Sequence, residues 1–171
     1  LDTPGHQDFS EDTYRTLAAV DSAVMLIDAA KGVEPQTRKL FKVCRRRGIP
    51  IFVFFNKLDR WGRPPLELVD EIERELGIRT SVVNWPVGMG TDFKGVFDRR
   101  SRRFHVYEGP RRGSQRVEAL VGDLHDPEFV ERIGHDIHRQ LVEEIEILDA
   151  ANDALDGKRV LAGDLAPAFF G

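Results

Sequence analysis

The 171-residue sequence supports an α/β fold with a mostly parallel sheet, helices on both faces and an inserted α+β subregion. Three observations carry that reading. Apolar runs of strand length at residues 22–28 and 49–55 alternate with amphipathic helical segments, the pattern of βαβ units. Each run ends in polar or turn residues, as expected where a strand reaches the ligand-binding edge of such a sheet. Beyond Gly77 the alternation gives way to short strand-like pieces and one long helical stripe.

Residues 10–20 read as a helix, with Ser10 as cap, Glu11 and Asp12 in an acidic first turn, and Tyr14, Leu17 and Ala18 at helical spacing. Residues 22–28 form a continuous apolar run, expected to be buried on both faces. Residues 34–47 carry Thr37, Leu40, Phe41 and Cys44 on one stripe, end in a basic turn and close at Gly48. Residues 49–55 form the second strand. Pro64-Pro65 then opens a helix with Leu66, Val69, Ile72 and Leu76 inward, closed by Gly77.

In the second half, residues 81–87 read as one strand and residues 93–107 as a hairpin turning near Arg99 to Arg103. Asp126-Pro127 starts a single long helix with Val130, Ile133, Ile137, Leu141, Ile145 and Leu148 on one side. Residues 166–170 return to the main sheet. The division this implies is a core of residues 1–76 and 164–171, with residues 77–163 as an insert.

Composition narrows the class without deciding it. A 41% hydrophobic content suits one soluble domain, and the net charge of −4 gives no global attraction to nucleic acid. No apolar run approaches the roughly 18 residues of a membrane span, and no basic start followed by an apolar stretch and a cleavage site is seen, so the expected compartment is the cytoplasm and no membrane partner is expected. The one cysteine, Cys44, reads as a small packing residue. Leu1 stands where an initiator methionine is expected and residues 166–171 stop on an apolar stretch, so both ends read as truncations.

Two motifs carry chemistry. Asp2-Thr3-Pro4-Gly5-His6 falls where a strand ends and a helix begins. A carboxylate there, Asp2, suits magnesium held through water; the Gly5 N–H can approach a γ-phosphate, and His6 can orient an attacking water. The five residues taken alone read more simply as a turn, capped by Asp2 and Thr3, bent at Pro4-Gly5 and with His6 solvated.

Asn56-Lys57-Leu58-Asp59 directly follows the second strand. The Asp59 carboxylate can accept from guanine N1–H and the 2-amino group, a pair adenine cannot offer. Asn56 can bond the Hoogsteen edge or tie loops together, and the Lys57 stem can lie across the base. These four residues also read alone as a polar turn. It is the pairing, in order and one strand-helix-strand unit apart, that points to a nucleotide site. No G-x-x-x-x-G-K-[ST] phosphate loop occurs in the sequence.

Weaker candidates are His135 and His138, a possible metal pair without a third ligand and more simply solvated helix residues. Arg99, Arg100, Arg102 and Arg103 with Phe104 and Tyr107, and also Arg111, Arg112 and Arg116, suggest an RNA-binding patch, against the plainer reading of a hydrated hairpin tip. Trp61 and Trp85 read as packing residues.

The two motifs together resemble the third and fourth nucleotide motifs of translational GTPases. The surrounding text, residues 8–17, 27–35, 85–88, 93–96, 161–163 and 167–171, resembles the peptide chain release factor three family across essentially the whole chain. The resemblance implies part of a P-loop-type GTPase domain. It further implies GTP or GDP with magnesium as the ligands of the longer protein, and the ribosome and class I release factors as its partners.

By position, Asp2, Thr3, Pro4, Gly5 and His6 would be GTP-binding, with Asp2 serving the magnesium and His6 the catalytic water. Asn56, Lys57, Leu58 and Asp59 would hold guanine. The phosphate loop and first switch that the family needs are expected upstream of Leu1, and the fifth motif is expected to begin near Gly171. This chain alone is therefore expected to bind no nucleotide and to be inactive, and its uncovered strand edges to favour self-association. Elongation factor G or a ribosomal protection protein is the nearest alternative, although the text at residues 10–14 differs from elongation factor G. A non-catalytic ribosome-contact module is the alternative from another class.

Overall fold

The computed structural model describes residue 17, residues 19–106 and residues 123–171. Two sheets organise them. The first has four parallel strands in the order β1 (Ala23–Asp28), β2 (Ile51–Asn56), β7 (Leu165–Phe170), β3 (Arg79–Val82). The second is an antiparallel meander of β4 (Asn84–Val87), β5 (Gly95–Asp98) and β6 (Arg103–Val106).

Helix α1 (Pro35–Arg46) connects β1 to β2, and α2 (Pro65–Leu76) connects β2 to β3. Both start with proline in the first turn, where its missing N–H costs nothing. Met25 and Ile27 of β1, with Ile51, Val53 and Phe55 of β2, pack with Phe41 and Cys44 of α1 and Leu68, Ile72 and Leu76 of α2 in one core. Burial pushes the Cys44 thiol pKa up, so this cysteine packs as an inert apolar group, as expected.

Four expectations need correction. The apolar run of β1 is not buried on both faces: Val24 and Leu26 are 66% and 62% exposed while Met25 and Ile27 are buried. β7, flanked by β2 and β3, is the strand buried along nearly its whole length. Residues 81–87 do not form one strand but the end of β3 and all of β4, which lie in different sheets. The main sheet thus takes in Arg79–Val82.

The single long helix is in fact two, α3 (Pro127–Ile133) and α4 (His135–Ala151), separated at Gly134 with φ 88° and ψ 147°. That extended, positive-φ backbone is essentially restricted to glycine. A short helix α5 (Gly157–Ala162), capped by the Asp156 carboxylate on the N–H of Lys158, leads into β7. Trp61 is not a packing residue: it is 68% exposed, with its indole against Gly90. Trp85, by contrast, is fully buried.

An aromatic series joins the sheets. Phe55 of β2 stacks on Phe170 of β7 with centroids 4.5 Å apart, and Phe170 meets the edge of Trp85 in β4 at 4.9 Å. The Trp85 Nε1–H donates to Glu144 of α4 at 2.6 Å. The hairpin tip is held onto α4 rather than free: Arg99 and Arg102 both pair with Asp149, at 2.9 and 2.8 Å. Two arginines of the suggested RNA patch are thereby engaged in packing; Tyr107, Arg111, Arg112 and Arg116 lie outside the described residues. No helix among the described residues is long and apolar enough to cross a membrane.

Candidate functional site

The carboxyl ends of three parallel strands are level with one another. The register pairs Asp28 with Asn56, and Phe55 with Phe170, so that Asn56 stands between Asp28 and Gly171. Gly171 N–H continues the ladder by donating to Phe55 O at 3.0 Å, and Ala29 N–H donates to Asn56 O at 3.0 Å. The loop containing Asn56, Lys57, Leu58 and Asp59 therefore leaves the sheet at the edge where parallel α/β folds place their ligands. Gly171, near which the fifth motif was expected, is at that same edge.

The loop is shaped by its own residues. Asn56 Oδ1 accepts the N–H of Lys57 at 2.8 Å, and Lys57 adopts φ 71°, uncommon for a side-chain-bearing residue. Leu58 is fully buried and anchors the loop, with its carbonyl accepting Gly90 N–H at 2.8 Å. Arg60 N–H closes a turn on Lys57 O at 3.1 Å. Asn56, Lys57 and Asp59 are exposed around that anchor. One apolar residue between polar ones thus orients the motif.

Neighbouring segments brace the loop from two sides. Arg63 N–H donates to Ala29 O at 3.0 Å, and the Arg63 guanidinium reaches the buried Glu71 at 2.6 Å. Glu71 also accepts Val33 N–H at 3.3 Å, which ties the loop after β1 to the loop after β2. From the connection between β4 and β5, the Met89 thioether accepts Gly62 N–H at 3.3 Å.

The Lys57 ammonium lies 2.7 Å from Asp28 Oδ2. Asp28 was not among the sequence candidates. Its carboxyl is held below the usual carboxylate range, chiefly by the hydrogen bond from Lys57, against the opposing effect of burial. Asp28 Oδ1 also accepts Ala30 N–H at 2.9 Å. A carboxylate ending the neighbouring strand was the available signal, but its partner lies 29 residues away in sequence.

Asp2, Thr3, Pro4, Gly5 and His6 lie outside the described residues. His135 is exposed, and His138 donates from Nε2 to the carbonyl of Leu124. Among the described residues no group of three or more metal-ligating side chains forms.

A family model described as the elongation factor Tu GTP binding domain matches residues 1–158. The chain is 60% identical to peptide chain release factor 3 of Gloeothece citriformis, 60% to that of Rippkaea orientalis and 58% to that of Nostoc punctiforme. All 171 residues align in each case, covering 32% of each relative, so the chain spans about a third of their length. The resemblance drawn from the motifs extends over the whole chain. The match over residues 1–158 shows that this chain belongs to the family of elongation factor Tu GTP-binding domains.

Proposed function

We propose that this chain supplies the guanine-selecting part of a GTP-hydrolysing translation factor that works on the ribosome to promote departure of class I release factors. The parallel sheet is the nucleotide-binding core, and residues 77–163 are an insert that contributes β3 to it. The observation that carries this reading is the placement of Asn56, Lys57 and Asp59 at the carboxyl end of β2, level with Asp28 and Gly171. Asp59 accepts from guanine N1–H and the 2-amino group, Lys57 lies along the ring, and Asn56 holds the loop.

Asp2, Thr3, Pro4, Gly5 and His6 complete the reading on the phosphate side, with Asp2 serving magnesium through water and His6 orienting the attacking water. The similarity to proteins named peptide chain release factor 3 supports the ribosomal partners and a cytoplasmic location. This chain by itself, with no phosphate-loop pattern, binds GTP weakly or not at all. Micromolar calorimetric binding of GTP but not ATP to the 171-residue chain would contradict that.

The guanine assignment is tested in the full-length protein. Asp59→Asn turns one acceptor into a donor, so GDP affinity should drop by at least about a hundredfold, while xanthosine diphosphate, with a carbonyl at position 2, should gain. Equal loss of both nucleotides would show that Asp59 does not read the base.

A further inference from the structure

The base-reading loop holds one feature that the motif itself does not contain. Lys57 is fixed at both ends: its backbone is set at φ 71° by the bond from its N–H to Asn56 Oδ1, and its ammonium is set by Asp28. Its stem thus spans the ends of β1 and β2, across the ligand edge. The carboxylate is itself held, because Ala30 N–H donates to its other oxygen and Lys31 and Gly32 donate to the Asp28 carbonyl at 3.0 and 2.9 Å. Asp28 is only 16% exposed at its side chain, whereas Lys57 is 46% exposed. A rooted carboxylate therefore restrains a long, otherwise mobile side chain.

We propose that Asp28 is a positioning residue for the guanine site, holding the Lys57 stem in place before nucleotide arrives. This rests on the guanine reading of the Asn56–Asp59 loop given above. The ion pair is partly exposed and adds little as a stability element. Its consequence is preorganisation: a stem already laid across the site loses less freedom when a ring stacks on it, which prolongs residence of the bound nucleotide.

The test is a double-mutant cycle in the full-length protein, following release of fluorescent GDP by stopped flow in wild type, Asp28→Asn, Lys57→Met and the double variant. Asp28→Asn keeps an acceptor for Ala30 N–H but removes the charge facing Lys57. It should speed GDP release by about tenfold, as for loss of one charge-assisted hydrogen bond. In the Lys57→Met background the same change should have no further effect. Asp28→Glu, which keeps a carboxylate, should restore most of the wild-type residence time, and this holds the test open if Asp28→Asn folds poorly.

Faster release from Asp28→Asn of equal size in both backgrounds would overturn the proposal, because Asp28 would then act through the turn at Ala30. An unchanged rate in Asp28→Asn beside a faster one in Lys57→Met would also overturn it. An unchanged rate in Lys57→Met, or equal retention of ADP and GDP by wild type, would instead remove the guanine reading on which it rests.

Discussion

Gly62 shows how closely single residues set the loop that follows β2. A Cβ there would sit 2.8 Å from the Ala29 carbonyl oxygen, the same oxygen that accepts Arg63 N–H. Gly62→Ala should push the loop away from the end of β1 and weaken GDP binding by about tenfold or more, while leaving the fold intact. Calorimetry beside a thermal melt checks both halves. Trp85 makes a different case, being fully buried with its one polar atom on Glu144. Trp85→Phe should cost about 2–4 kcal/mol in urea unfolding, from the lost charge-assisted bond together with the lost ring volume.

What was legible at this scale was what a residue carries by itself: the polar turn of Asn56 to Asp59 directly after a strand, the buried thiol of Cys44. What was not legible depends on distant neighbours. Asp28 is paired with Lys57, 29 residues away in sequence. Asn84 gains its role from β7, donating to Phe170 O at 2.9 Å and accepting Phe170 N–H at 2.7 Å, a side-chain copy of a strand partner. Asn152 does the same for β3, accepting Val82 N–H at 2.8 Å and donating to Thr80 O at 3.2 Å. Trp61 was misread because hydrophobicity alone says nothing of which side of Gly90 an indole takes.

Among elements, the helices with proline starts and glycine ends were read almost to the residue, since those residues act through local backbone constraints. The break at Gly134 escaped because the apolar stripe from Val130 to Leu148 continues across it. Nothing lies within 4 Å of a Cβ placed at Gly134, so a substitution there is strained by backbone conformation alone. Gly134→Ala should lower stability by about 1–3 kcal/mol in denaturant melts.

The contact between the hairpin tip and α4 carries a pH dependence. Burial raises the Asp149 carboxyl pKa, but the hydrogen bonds and charges of Arg99 and Arg102 outweigh it, and the result is a value below the usual range. A folded-state pKa below the unfolded one gives stability that is complete above the unfolded value and is lost as pH falls through the folded value. Stability should therefore hold from neutral pH down to about pH 5 and decline below about pH 4. Asp28 contributes with the same sign. In urea melts across pH, Asp149→Asn should lower neutral stability and make the acid decline shallower; an unchanged decline would separate it from this carboxylate.

For the molecule as a whole, the two sides of the parallel sheet end differently. The outer side of β3 is met by Asn152, whereas β1, outermost among the described strands, leaves Val24 and Leu26 open. We propose that this open face drives association of the 171-residue chain with itself. The double variant Val24→Thr, Leu26→Thr should shift sedimentation of the chain toward monomer without lowering its melting temperature by more than a few degrees. The parallel class and the return of the last strand were legible from alternation alone. The order of strands was not, because nothing local tells β7 to enter between β2 and β3.

That entry has a consequence during synthesis. β1 and β2 are neighbours and can pair once α1 has been made, but β2 and β3 are not neighbours, and what joins them is β7. Roughly a hundred residues separate the end of β2 from β7, so at ordinary translation speeds about 5–20 s pass before the sheet can close. Through that interval β2 waits with an open flank, and Phe55 waits for Phe170. Arrival of β7 is therefore the step that joins β3 to the β1–β2 pair, and the interval before it is when these strands are most exposed to mispairing.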